Sequence, residues 1–137
     1  MVSSESPKSD YILLGGYAVD LPHDFGNAND VPFFCDSAQM GLGNVNQCYS
    51  LGVKCEFEKH MIRVTTNTMN STVRYRFINT GFSNIATSSG QTGEFSQSGN
   101  SADIIDADGD IYINYSTSNP TSGAVNLIYG VLLKVIK

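Results

Sequence analysis

Thr72–Asn79 reads TVRYRFIN, with Val73, Tyr75 and Phe77 on one side of an extended chain and Arg74 and Arg76 on the other. Alternation with a period of two predicts a strand with one face in a core and one in water. The same beat runs on either side of it. Upstream, Leu51–Glu58 (LGVKCEFE) sets Leu51, Val53, Cys55 and Phe57 against Lys54, Glu56 and Glu58. Met61–Thr68 (MIRVTTNT) sets Ile62, Val64 and Thr66 together, and His60 falls between these two predicted strands. Downstream, Phe82–Ala86, Gln91–Ser96 and Ala102–Ile105 are shorter candidates, and Asp110–Tyr115 (DIYINY) aligns Ile111, Ile113 and Tyr115. Tyr11–Val19 (YILLGGYAV) opens the series, with Gly15-Gly16 marking a bulge or a corner. Val125–Lys137 (VNLIYGVLLKVIK) closes it as the longest apolar run.

Turn residues separate these segments at Asn79-Thr80-Gly81, Ser88-Ser89-Gly90, Ser98-Gly99-Asn100, Asp108-Gly109-Asp110 and Ser118-Asn119-Pro120. Helical periodicity is missing, and Gly41 and Gly43 limit Asp36–Val45 to a single turn. About eight short strands punctuated in this way predict an all-β, antiparallel β-sandwich of jelly-roll type. The expected organisation is an N-terminal arm over residues 1–10 and one domain over 11–137. A long irregular loop occupies the N-terminal half, from Asp20 to Gln47, with prolines at Pro22 and Pro32. Its Phe33-Phe34 pair reads as a core plug or as an anchor on a partner.

The chain has 137 residues, enough for one core without metals or bridges. Charged residues are only 15%, and 13 acids against 8 bases give a net charge of −5. That balance argues against a phosphate-binding face, and Arg74 and Arg76 read as the wet side of a strand. No membrane partner is expected, because no apolar run approaches about 18 residues. Residues 1–10 (MVSSESPKSD) lack the apolar stretch of an export signal, which predicts synthesis in a cytosol. Of the three cysteines, Cys48 and Cys55 could bridge across a Gly52 turn, or all three, with Cys35, are reduced and buried.

Chemistry-bearing groups are sparse. Asp106, Asp108 and Asp110, with Asp103 nearby, present carboxylates at alternate positions and form the candidate site for Ca²⁺. The EF-hand template fails there, since Ile111 stands where its glycine belongs and Thr117 where its closing glutamate belongs. The other reading is a tight turn in which Asp bonds the backbone and Gly109 takes a positive φ. Cys35, Cys48, Cys55 and His60 lack the spacing of a zinc knuckle. Carboxylate pairs for glycoside hydrolysis can be drawn from Asp20, Asp24, Glu56 and Glu58, though exposed strand charges account for them as well. No nucleophile elbow, zincin helix or phosphate loop is present in the sequence, and no catalytic residue or cofactor is expected.

Three stretches carry a resemblance: TVRYRFIN (72–79) with Thr80-Gly81, SGQTGEFS (89–96), and DADGDI (106–111) followed by a closing apolar strand. From Met61 onward the chain resembles small β-sandwich proteins of tailed bacteriophages and environmental viruses, related in architecture to the C1q and tumour-necrosis-factor jelly rolls. The resemblance covers a little over half of the chain. It departs from the pattern where Asn79-Thr80-Gly81 replaces an Asn-Gly turn. It implies a virion structural role, as a capsid decoration, head-fibre or tail appendage subunit. It also implies homo-oligomers, commonly trimers, bound to other virion proteins. The alternatives are a carbohydrate- or receptor-binding module using Tyr17 or Tyr112, and a self-assembling extracellular filament subunit that donates its N-terminal arm.

Overall fold

The computed structural model describes residues 10–22, 29–31, 50–78, 83–99, 103–117 and 122–136. Among them there is no helix, and nine strands account for the regular structure. These are β1 (Tyr11–Pro22), β2 (Asn29–Val31), β3 (Cys55–Asn67), β4 (Val73–Phe77), β5 (Ile85–Thr87), β6 (Gly93–Ser98), β7 (Ile104–Ile105), β8 (Ile113–Thr117) and β9 (Ala124–Val135). One sheet has the order β1-β9-β3-β6, with β7 also paired to β3; the other has the order β2-β8-β4-β5. Every pairing is antiparallel. The chain is an antiparallel β-sandwich.

Leaving the two-residue β7 aside, the pairs β1·β9, β2·β8, β3·β6 and β4·β5 nest inside one another, as in a long hairpin folded over on itself. The additional pairs β3·β9 and β4·β8 join the nested ladders into the two sheets. Between the sheets lies one core of inward side chains, including Leu14, Phe57, Val64, Tyr75, Phe77, Ile113, Tyr115 and Leu133. Phe57 from one sheet stacks on Phe77 from the other at 5.4 Å between ring centroids. Val73, Tyr75 and Phe77 are fully buried and Arg74 is exposed, as the alternation in TVRYRFIN predicts.

β3 departs from the expected pattern. It is one thirteen-residue strand, not two, and His60 is inside it rather than between strands. Its register shifts at Phe57/Lys59 and again at Val64/Thr66. Each bulge inserts an unpaired residue and reverses which parity faces the core. The buried positions therefore run Cys55, Phe57, then His60, Ile62, Val64, then Asn67. Thr66, expected beside Ile62 and Val64, is exposed for this reason, and Val53 lies outside any strand at 39% exposure.

The glycines of β1 also depart from expectation. Gly15 and Gly16 pair regularly with Gly130 and Tyr129, and the irregularity lies between Ala18 and Leu21. There Asp20 adopts φ 54 and its amide donates to Asn126 Oδ1 at 2.7 Å. Gly16 instead makes room for a neighbour, because a Cβ at that position would lie 2.6 Å from the Tyr129 hydroxyl. Gly109 does not take the expected positive φ; its amide closes the turn on the Asp106 carbonyl at 3.0 Å.

Candidate assembly surface

Positions directly opposite in an antiparallel sheet share a face, so the register assigns the outer side of the five-stranded sheet. One row runs Tyr11, Lys134, Glu56; the next runs Leu13, Leu132, Lys59, Ser98. Gly15, Gly130, Met61 and Ser96 follow, then Tyr17, Ile128, Arg63 and Glu94. The two glycines form the floor of a trough whose walls are Leu13, Met61 and Ile128.

This face is apolar and open. Leu13 is 67% exposed, Tyr11 54%, Ile128 52% and Tyr17 49%, and Val19 adds to the same strand. Most of its charged groups lie on β3 and β6, where Arg63 and Glu94 form an ion pair at 3.0 Å, and Lys134 of β9 stands beside Tyr11. On this face Lys59, Arg63 and Lys134 stand against Glu56 and Glu94, near neutrality, in a chain whose net charge is −5. An apolar centre with a polar margin of mixed sign is the anatomy of a protein interface. Sequence reading identified YILLGGYAV and VNLIYGVLLKVIK as strands without assigning them an interface. The available signal was that both are apolar at adjacent positions, as in strands covered on both faces.

Behind this face, inside the sandwich, His60 makes a polar bridge between the sheets. Its Nδ1 lies 2.8 Å from Ser83 Oγ, which accepts the Phe77 amide at 2.7 Å. A serine hydroxyl has one proton and two acceptor sites, so with the Phe77 amide on one of them it either donates to Nδ1 or accepts from it, according to the imidazole tautomer. Nε2 is buried without a hydrogen-bond partner among the described residues. Burial lowers the His60 pKa to about 4. Beside the bridge, Ile78 holds φ 58, which costs a β-branched residue roughly 1–3 kcal/mol.

The other expected sites are distributed as follows. Asp106, Asp108 and Asp110 are exposed, and among the described residues no group of three or more His, Cys, Asp or Glu side chains is placed to hold a metal ion. Cys55 is a free buried thiol, and burial raises its pKa. Cys35, Cys48, Phe33, Phe34 and Asp24 lie outside the described residues. Tyr112 is half-buried against the core, which leaves Tyr17 as the open ring of that pair. Glu56 sits in the row of Tyr11, while Asp20 lies at the far end of β1, roughly 30 Å along the strand. Carboxylates that far apart cannot share one glycosidic bond. Among the described residues, no helix is long and apolar enough to cross a membrane.

No protein-family model matches the chain, and no curated protein sequence matches it.

Proposed function

We propose that this chain is a non-enzymatic structural subunit of a virion, a capsid decoration, head-fibre or tail appendage component. It assembles with further copies of itself through the outer face of the five-stranded sheet. The observation that carries the reading is the open apolar face of β1 and β9, where Leu13, Tyr11, Ile128 and Tyr17 are each about half exposed or more. Single apolar residues on a surface are ordinary, but a contiguous patch across neighbouring strands marks a contact. A second copy suits it because a face near neutrality brings no large excess of like charge together. The nested pairing of strands supports a jelly roll, and with it the viral resemblance of the sequence from Met61 onward.

Sedimentation equilibrium tests the assembly. The wild-type chain is expected to form a discrete oligomer that Leu13→Ser weakens. Burying two thirds of a leucine is worth about 1–2 kcal/mol per copy, or roughly ten-fold in each contact's dissociation constant. A wild-type monomer that also fails to bind particles from its source would sink the reading. Tyr11 and Tyr17 favour one other reading, because exposed rings on a sheet face can stack on a sugar. A glycan array decides it: binding that Tyr17→Ala abolishes supports a carbohydrate module, and a blank array removes it.

A further inference from the structure

The described residues contain one buried group that gains a charge on acidification, and it sits where the two sheets are tied together. Among the described residues, the buried polar or charged side chains are His60, Asn67, Ser83, Thr87, Asn114 and Thr117, with no carboxylate, ammonium or guanidinium. The other titratable groups turned into the core are Cys55 on β3, Tyr75 on β4, Tyr115 on β8 and Tyr129 on β9. A thiol or a phenol gains no charge in acid. The charged side chains of the neighbouring elements face elsewhere. Lys59 and Glu94 are on the outer face, Glu58 is at the bulge, and Arg76 is on the outer side of β4. Half-buried Asp103 precedes β7, and its carbonyl accepts the Phe57 amide at 2.8 Å.

We propose that His60 is an acid-operated latch between the sheets, whose protonation places a cation at the buried Phe77–Ser83–His60 bridge and loosens the sheet that carries the proposed assembly face. Protonated Nδ1 is a donor only, so Ser83 Oγ must accept from it as well as from the Phe77 amide and turn its own proton elsewhere. Nε2 then also carries a proton, with no acceptor among the described residues, on a cation sealed from water. Ile78, held in a left-handed conformation one residue beyond Phe77, stores strain at the same junction. Met61, the next residue after His60, lines the apolar trough on the opposite side of β3, so opening at the latch reaches the contact surface directly.

The sign follows from proton linkage. The unfolded chain binds a proton at His60 near pH 6.5 and the folded chain only near 4, so stability is present above 6.5 and is lost as the pH falls towards 4. Urea unfolding of the wild-type chain and of His60→Asn, which keeps an acceptor near Ser83 but cannot be charged, measures it. Between pH 8 and pH 5 the wild-type folding constant is expected to fall about thirty-fold more than that of the variant. Identical pH dependence overturns the latch. Should the variant not fold, NMR titration of the wild-type imidazole serves instead. A ring still neutral at pH 5 supports the latch, and one titrating near 6.5 in the folded state overturns it.

The link to assembly rests on the proposed self-association, and sedimentation at pH 7.5 and pH 4 examines it separately, the lower value being where the folded ring takes up its proton. Weaker association at pH 4 in wild type but not in His60→Asn supports the link. Equal association at both values overturns it. A wild-type monomer at pH 7.5 refutes the assembly reading, and the latch then stands or falls on the unfolding data.

Discussion

Phe57→Ala tests whether the two sheets depend on the contact the structure places between them. Phe57 is fully buried in β3 and its ring stacks on Phe77 of β4 at 5.4 Å, so it joins the sheets across the core. Removing a buried phenylalanine ring costs about 3–5 kcal/mol, the larger figure applying where the surroundings cannot collapse into the space. They cannot do so readily here. Gly99 packs directly on Phe57 and offers no side chain to fill a void, and its amide is held by the Glu58 carbonyl at 2.8 Å. The expected loss is therefore about 4 kcal/mol, of which roughly 1 kcal/mol belongs to the ring pair. Urea denaturation followed by circular dichroism should show the midpoint falling by about 2 M for a slope near 2 kcal/mol per molar. A double-mutant cycle with Phe77→Ala should return that coupling of about 1 kcal/mol. A loss below about 1 kcal/mol, or a coupling of zero, would refute the argument that these rings hold the layers together.

Two further substitutions probe features set by local geometry. Gly16→Ala drives a methyl group into the Tyr129 ring and should cost about 1–3 kcal/mol, most of it recovered in the double variant with Tyr129→Val; equal melting points for wild type and Gly16→Ala would deny the close approach. Asn67→Ala removes the amide that donates to the Ser88 and Gln91 carbonyls and the oxygen that accepts the Met69 amide. About 1–3 kcal/mol should be lost. Amide exchange should accelerate at Met69 and in the 88–91 turn while Phe57 stays protected, and uniform acceleration would contradict a local role for Asn67.

The apolar face and the proposed histidine latch are two sides of one strand. Met61 looks out into the trough and His60, the residue before it in β3, looks in at the other sheet. The proposed assembly would bury a face built from paired strands, where little backbone entropy is left to lose when a contact forms.

Alternation along the chain determined the class of this protein by itself. TVRYRFIN could bury Val73, Tyr75 and Phe77 only as a strand, and the spacing of turns multiplied that one element into a sandwich. Which strands would be neighbours was decided by tertiary structure, since antiparallel ladders between segments as distant as β1 and β9 leave no mark on either sequence alone. The bulges in β3 were hidden for a related reason. An extra residue is inserted relative to a partner strand, so His60 becomes a core residue only once β9 sets the register. The open apolar face was half legible: YILLGGYAV is apolar on both sides, but only the packed sheets decide that one of those sides is left uncovered. Periodicity records how a segment meets water, whereas pairing and register are set by the segment it meets.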